Sequence, residues 1–314
     1  VLLELRAGRV LALVGESGCG KSTVARLLAR LYPATSGRIL LHDDEVARRG
    51  ERGRRRYAEH VQIILQDPFA SLNSAYDVRH HLVRPLTLHR NRADGGRSLQ
   101  DDALRLLEEV NLTPARDFLE RYPHELSGGQ RQRVSIARAL AVNPEVLLAD
   151  EPVSMLDVSI RLEVLRLLGR LVAERDLAML YITHDIASAR YFAADIAVMY
   201  AGEIVEFGPA EAVTQEPMHP YTQLLLAAVP DPERVRTGAS HERMTGEAPD
   251  LSDPPPGCRF HPRCAHAGTR CRVEAPPAAN DGEGQWARCL LYDEAGVGAP
   301  LRAAAPGDGS VSPA

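Results

Sequence analysis

The chain has 314 residues, of which 45% are apolar and 25% are charged. A chain of this length and composition can bury a large core, so we expect one large domain or two smaller ones. The formal net charge of −5 excludes the whole-chain basic surface of a protein that coats nucleic acid. No apolar run approaches the roughly 18 residues of a membrane span, and Glu4, Arg6 and Arg9 argue against a secretory signal.

Cysteine and lysine are unevenly used. Five cysteines are too few for a secreted disulfide framework in this chain, which favours a reducing cytoplasm. Of 37 basic residues, 36 are arginine, and Lys21 is the one lysine. This lysine is either a chance feature of an arginine-rich composition or marks a site that needs a compact charge rather than a planar fork.

Three short apolar runs predict buried strands, over 10–14, 146–149 and 178–183. Helical patterns lie between them, over 134–140 and 160–174. Strands that alternate with helices are typical of an α/β fold with a parallel sheet. The runs end at Gly15, Asp150 and His184, and the carboxyl ends of parallel strands meet at the edge where ligands bind.

A glycine-rich loop follows the first strand and precedes a predicted helix over 24–31. It matches G-x-x-x-x-G-K-[ST] in the strand, loop and helix setting of a phosphate-binding loop. Its amides and the helix N-terminus would hold the β- and γ-phosphates of ATP, the lysine would add a point charge, and the serine hydroxyl would bind Mg²⁺. The predicted nucleotide-binding residues are Gly15, Ser17, Gly18, Gly20, Lys21, Ser22 and Thr23, and Cys19 is interpreted as an unreactive spacer.

Two acidic residues close the second strand. Asp150, held rigidly at the strand end, is predicted to hold Mg²⁺ directly or through water, and Glu151 to act as the general base on an attacking water. His184 ends the third strand at the same edge and is predicted to contact the γ-phosphate. The alternative is that residues 183–185 only cap a helix that begins near Ile186.

A second candidate anion site is Leu126-Ser127-Gly128-Gly129-Gln130, with Arg131 and Arg133 nearby. This pentapeptide is the signature of ATP-binding cassette (ABC) ATPases, and residues 1–208 as a whole resemble that family. Gln66 in Leu65-Gln66-Asp67-Pro68 matches the family's Q-loop, Val153-Ser154-Met155-Leu156-Asp157 its D-loop, and His184 its switch histidine.

The resemblance implies a P-loop NTPase fold, with a mostly parallel sheet flanked by helices and an inserted helical subdomain at about 70–143. In this family two cassettes pair head to tail, so Ser127, Gly128, Gly129, Gln130 and Asp157 would cover ATP bound by the second cassette, identical or not. Gln66 is implied to sense the γ-phosphate, water or Mg²⁺ and to pass closure to a membrane subunit.

The second half of the chain resembles the C-terminal extension of the oligopeptide, dipeptide and nickel importer ATPases, through the segments 219–225 and 254–264. Residues 66–73 are similar to the same group. We expect an ATPase domain over 1–229, a linker rich in Pro, Gly, Ser and charge over 230–257, a Cys-rich extension over 258–290 and a disordered tail over 291–314.

The resemblance implies a peripheral ATPase on the cytoplasmic side of the cell membrane. Its partners would be a second ABC ATPase subunit, two membrane permease subunits and, indirectly, a solute-binding protein, with no nucleic acid. Peptides are the expected cargo. Oligosaccharide or nickel cargo, a soluble non-transport cassette ATPase and a regulatory binder without turnover stay open.

One departure from the family lies before the phosphate loop. Family members carry a longer segment there, including an aromatic residue that stacks on adenine. Here Gly15 follows only 14 residues, and the first aromatic residue is Tyr32. We expect this chain to bind nucleotide weakly.

Four cysteines cluster near the C-terminus, with spacing C-x5-C-x6-C-x17-C: Cys258, Cys264, Cys271 and Cys289. The spacing lacks the C-x-x-C pairs of zinc ribbons and bacterial ferredoxins, but four thiolates can stabilise a segment that is short of core as metal ligands. Some importer ATPases bear an iron–sulfur cluster here, which favours [4Fe–4S]. Zn²⁺ with His261 or His266, and free thiols, stay open.

A short basic run, Arg52 to Arg56, is the remaining candidate for nucleic-acid or anionic-lipid binding. It is interpreted as a solvated basic face, because no aromatic platform interleaves the arginines.

Overall fold

A computed structural model describes residues 1–46, 51–89, 98–229, 249 and 251–292. The chain divides into two compact units, Leu2–Ala194 and Asp195 onward. Residues Arg92–Gly96, whose glycines are typical of a loop, lie outside the described residues, as do most of the predicted linker over 230–257 and positions 293–314 of the predicted tail.

The helices are α1 (Lys21–Leu28), α2 (Glu51–His60), α3 (Pro68–Ser71), α4 (Val78–His89), α5 (Leu99–Glu109), α6 (Arg116–Leu119), α7 (Gly128–Leu140), α8 (Val158–Arg175), α9 (Ile186–Phe192), α10 (Ala210–Gln215) and α11 (Pro220–Ala227). The strands are β1 (Val10–Val14), β2 (Leu40–Leu41), β3 (Asp44–Glu45), β4 (Val61–Ile64), β5 (Val146–Asp150), β6 (Ala178–Thr183), β7 (Asp195–Tyr200), β8 (Glu203–Pro209), β9 (Ala278–Asn280) and β10 (Trp286–Arg288). Short 3-10 turns lie at Pro123–Glu125, His261–Arg263, Arg270–Arg272 and Leu290–Tyr292.

The first unit is built on parallel strands in the order β4-β5-β6-β1. β1 and β6 are buried along their whole length, as strands covered on both faces must be. The predicted α/β class and parallel sheet are confirmed, and the three predicted strands are β1, β5 and β6. Strand β4 escaped prediction, because its four residues include the polar Gln62 and form too short an apolar run.

Helices α3 to α7 lie between β4 and β5, in the stretch predicted to be helical. The helical patterns over 134–140 and 160–174 fall within α7 and α8. The predicted helix over 24–31 is shorter than expected, since α1 ends at Leu28 and Arg30 has a φ of 56°. A left-handed residue cannot continue a right-handed helix, so the predicted end was wrong.

In the second unit, β8 pairs antiparallel with β7 and β10, and β10 pairs with β9. β9 and β10 belong to the Cys-rich extension, so the extension shares a sheet with β8. The approach is close at Gly208, where a Cβ atom would lie 3.0 Å from the Cα atom of Gln285. Only glycine fits there without a backbone shift.

A buried carboxylate joins three segments of this second unit. Glu206 in β8 is fully buried, and its side chain accepts hydrogen bonds from the backbone N–H groups of Met218 (2.7 Å) and His219 (3.0 Å). The side-chain amide of Gln285 in the extension donates to the same carboxylate at 2.8 Å. Burial raises the pKa of Glu206, so these donors offset part of the cost of burying a charge.

The beginning of the predicted disordered tail is ordered. Residues Leu290–Tyr292 form a 3-10 turn, Leu290 is buried, and the Tyr292 hydroxyl donates to the carbonyl oxygen of Met218 at 2.7 Å. The prediction was wrong for positions 291 and 292, because these contacts offset the entropy lost on ordering them.

Candidate active site

The candidate active site lies at the edge of the sheet where the parallel strands of the first unit end. β1 leads into Gly15, β5 ends at Asp150, β6 leads into His184, and Gln66 closely follows β4. Because these strands are parallel neighbours, their carboxyl ends lie side by side, and four separate segments of the chain contribute to one edge.

The glycine-rich loop wraps around the Lys21 ammonium. Lys21 is 5% exposed, and its Nζ donates to the carbonyl oxygens of Gly15 and Glu16, each at 2.7 Å. Gly18 and Gly20 have φ values of 81° and 106°, in the left-handed region that favours glycine. Since Gly20 precedes α1, no side chain caps the first amides of the helix, and they can bind an anion.

Cys19 in this loop is buried, and its Sγ lies 3.7 Å from the Lys21 ammonium. Burial raises the pKa of the Cys19 thiol. A buried, protonated thiol is a weak nucleophile.

Two predicted magnesium ligands lie together beside the loop. The Ser22 hydroxyl donates to Oδ1 of Asp150 at 2.9 Å, and Asp150 is 2% exposed. Burial raises the pKa of the Asp150 carboxyl, while the hydrogen bond from Ser22 opposes that rise. A hydroxyl and a carboxylate are hard oxygen donors of the kind that Mg²⁺ prefers, so the donor set fits this ion.

The Glu151 carboxylate is held between the other two predicted catalytic side chains. Gln66 Nε2 donates to Oε2 of Glu151 at 3.1 Å, and His184 Nδ1 lies 3.3 Å from Oε1. Glu151 has a φ of 46°, which turns its side chain away from the direction set by β5. Its backbone N–H donates to the carbonyl oxygen of Ile182 at 3.0 Å and fixes this turn against β6.

Residues 183–185 include a helix cap, and the contact of His184 with the γ-phosphate stays a prediction. Asp185 caps α9 by accepting a hydrogen bond from the backbone N–H of Ala187 at 3.0 Å. His184 is free of that capping role, and its side chain faces Glu151.

The predicted signature forms the N-terminus of α7. Ser127 caps the helix by accepting from the Gln130 N–H at 3.2 Å, and Gln130 Oε1 accepts from the Ser127 N–H at 2.9 Å. Gly129 has a role that the sequence did not show: a Cβ there would lie 2.7 Å from Cγ2 of Ile160 in α8. The second glycine therefore lets α7 and α8 pack closely.

Asp157 lies at the start of α8, where its carbonyl oxygen accepts from the Arg161 N–H at 2.8 Å. Its exposed carboxylate makes no capping hydrogen bond to the helix. The neighbouring Val153 and Leu156 are buried and anchor the loop. This loop thus presents an acidic side chain to solvent from a fixed backbone.

Two family models match the chain, "ABC transporter" over residues 1–154 and "Oligopeptide/dipeptide transporter, C-terminal region" over residues 205–271. The oligopeptide transport ATP-binding protein AppF of Bacillus subtilis is 41% identical, over 93% of this chain and 88% of AppF. The di/tripeptide transport ATP-binding protein DppF of Pseudomonas aeruginosa is 42% identical, over 88% of this chain and 84% of DppF. The chain belongs to the ATP-binding subunits of ABC transporters.

Solved structures agree with this ABC subunit in fold. The cassette cbiO1 from Clostridium perfringens, part of the transporter complex cbiONQ, aligns with a TM-score of 0.61 and 26% identity over 69% of this chain and 83% of cbiO1. The cassette MJ0796, in a dimeric post-hydrolysis state with ADP and phosphate, aligns with a TM-score of 0.59 and 29% identity over 66% of this chain and 88% of MJ0796. Members of this family hydrolyse ATP. Within the described ranges, every helix of this ABC subunit is too short or too polar to traverse a bilayer.

The two arginines beside the signature contact other groups of the chain. Arg133 donates to the carbonyl oxygen of Val110 at 3.0 Å and to the Glu163 carboxylate at 2.8 Å. The guanidinium of Arg131 lies over the Phe69 ring, 4.1 Å from its centroid. Both guanidinium groups thus contact other residues of the ABC subunit.

All four clustered cysteines line one small cavity of the second unit, together with His261 and His266. Burial raises the pKa of the Cys258 and Cys264 thiols, and that of Cys289 to about 11. In the described part of the chain, no three His, Cys, Asp or Glu side chains are placed to hold a metal ion. The predicted ligands therefore share a cavity, but as placed they do not form a coordination sphere for iron–sulfur or zinc.

Proposed function

We propose that this chain is the ATP-hydrolysing subunit of an ABC importer for peptides, at the cytoplasmic side of the cell membrane. The observation that carries the proposal is the position of the Glu151 carboxylate, between Gln66 and His184 and next to the Ser22–Asp150 pair. This arrangement supports the assignment of a base, a charge sensor and a magnesium site beside one phosphate loop.

In the proposed reaction a water molecule attacks the γ-phosphorus of ATP, the bond from that phosphorus to the oxygen bridging the β- and γ-phosphates breaks, and ADP leaves with the bridging oxygen. A carboxylate oxygen of Glu151 takes the proton from the water, while Gln66 and His184 position that carboxylate through its two different oxygens. Ser22 and Asp150 would hold Mg²⁺, which would neutralise charge on the phosphate oxygens. Lys21 and the loop amides hold the transferred phosphate group.

The signature, in which Ser127 is exposed, and the exposed Asp157 are proposed to complete the site of a second cassette. Two membrane permease subunits would receive the motion, and a solute-binding protein would deliver the cargo to them. Peptide cargo is supported by the AppF and DppF names and by the oligopeptide and dipeptide extension over residues 205–271.

The experiment compares wild type with Glu151→Gln in the complex assembled with its permeases. Loss of the general base should lower ATP hydrolysis at least about a hundredfold, while ATP binding persists. Glu174→Gln, which removes a carboxylate from an exposed ion pair with Arg170, is the matched control and should keep wild-type activity. Hydrolysis unchanged in Glu151→Gln would show that Glu151 is not the base.

Cargo is tested by uptake in vesicles that contain the whole complex and its solute-binding protein. Labelled di- and oligopeptides should be taken up with ATP and not with a nonhydrolysable analogue. Uptake of oligosaccharide or Ni²⁺ in place of peptide would refute peptide cargo.

We also propose that the four cysteines bind a [4Fe–4S] cluster, with Zn²⁺ as the alternative bound metal. The support is that Cys258, Cys264, Cys271 and Cys289 line one cavity, although assembly of a site requires their side chains to turn toward a common centre. Anaerobically purified protein should be brown and contain iron and sulfide. Colourless protein with stoichiometric zinc would favour the alternative, and colourless protein without metal would leave free thiols.

A further inference from the structure

One face of the signature helix α7 fastens the short helix α3. Arg131, Ser135 and Arg138 lie on a common face of α7, since they recur at helical spacing. Each contacts α3: Arg131 lies over the Phe69 ring at 4.1 Å, Ser135 Oγ lies 3.0 Å from Ser71 Oγ, and Arg138 donates to the Ser71 carbonyl oxygen at 2.5 Å. The contacts of α7 with α3 are thus made at Phe69 and Ser71.

The stack of Arg131 on Phe69 is a principal attachment of this guanidinium. The Nε atom of Arg131 is buried and has no hydrogen-bond partner in the described part of the chain. The face of the ring therefore lies where a polar partner would otherwise lie, and the cation is attracted to it electrostatically.

The two joined helices begin at functional segments. α7 starts directly after Ser127, its capping residue in the signature. α3 follows Gln66 after a single residue, Asp67, which caps α3 by accepting from the backbone N–H groups of Phe69 (2.7 Å) and Ala70 (3.1 Å). Gln66 in turn donates to Glu151 at 3.1 Å. These contacts form a continuous path from α7 through α3 to Gln66 and Glu151.

We propose that Arg131 is a positioning residue, which ties the signature helix to α3 so that engagement of the signature sets the Gln66–Glu151 hydrogen bond. This inference rests on the proposed function, because it needs a second cassette to engage the signature. Arg131 acts at a distance from the nucleotide: its guanidinium fixes Phe69, Phe69 fixes α3, and α3 fixes Gln66.

The test measures steady-state ATP hydrolysis by the whole transporter complex, with Arg131→Met and Phe69→Leu as the variants. Each should lower kcat about twofold to fivefold, the factor that corresponds to losing one such interaction. KM for ATP should stay at the wild-type value, because the phosphate loop is untouched. Phe69→Tyr keeps an aromatic ring and should retain the wild-type kcat.

The matched control is Arg121→Met, which removes a stack of the same kind over Phe118, at 4.9 Å, outside both α3 and α7. It should leave kcat unchanged. Arg131→Met should also have no further effect in a Gln66→Ala background, since Arg131 acts through Gln66. Phe69 is 52% exposed, so Phe69→Leu keeps the fold even if Arg131→Met does not.

Wild-type kcat in both Arg131→Met and Phe69→Leu would overturn the inference and leave the proposed function standing. An equal fractional loss of kcat with and without Gln66 would also overturn it, because Arg131 would then act by another route. A wild-type complex that does not hydrolyse ATP would overturn the proposed function and this inference with it.

Discussion

The packing of Gly129 against Ile160 leads to a sharp prediction for Gly129→Ala. The added Cβ would lie 2.7 Å from Cγ2 of Ile160, closer than real contacts allow. Ile160 is β-branched and cannot turn this methyl group away freely, so α7 or α8 must shift. Overpacking of this kind costs about 1 to 3 kcal/mol.

Comparison with Gly128→Ala isolates the free-energy cost of the clash with Ile160. A Cβ at position 128 would lie 3.6 Å from Cδ2 of Leu156, an ordinary van der Waals distance. Both substitutions gain the helix propensity of alanine over glycine, so the difference between their free energies of unfolding gives the clash alone. Chemical denaturation should show Gly129→Ala less stable than Gly128→Ala by about 1 to 3 kcal/mol.

Ile160→Ala removes the obstructing methyl group and provides the decisive comparison. In that background, Gly129→Ala should no longer cost more than Gly128→Ala. A gap of the same size with and without Ile160 would refute the packing argument, as would equal stability of the two alanine variants in the wild-type background.

Three further outcomes are expected. Burial raises the pKa of Glu206, so the folded state binds its proton more tightly than the unfolded chain does. As the pH rises from the ordinary glutamate pKa to the raised pKa of Glu206, the free energy of unfolding of wild type should therefore fall relative to that of Glu206→Gln. Chemical denaturation at several pH values measures this difference. Gln132 is 1% exposed, and neither the oxygen nor the nitrogen of its side-chain amide has a hydrogen-bond partner in the described part of the chain. Gln132→Met should therefore raise the free energy of unfolding by about 1 to 3 kcal/mol, measured by thermal or chemical denaturation. Lys21→Arg should weaken ATP binding at least about tenfold in a direct binding assay, because a planar fork cannot take the place of an ammonium between two carbonyl oxygens at 2.7 Å.

The candidate site was largely predictable where one continuous segment carries both the motif and its strand. The loop from Gly15 to Thr23, the acidic pair at Asp150 and the histidine at 184 each follow directly from an apolar run. Parallel strands end at one edge, so the sequence was enough to place these residues together. Gln66 was assigned by family resemblance, since β4 was too short and too polar to be predicted as a strand.

The sequence by itself determined the α/β class, the phosphate loop and the membership of an ATPase family, because these depend on residues close together in the chain. Only the tertiary structure showed that Gly129 packs against Ile160, that Arg131 stacks on Phe69, and that Glu206 accepts a hydrogen bond from Gln285 of the extension. These contacts join residues far apart in the chain, and their geometry is set by how helices and strands pack. No local pattern encodes such a distance.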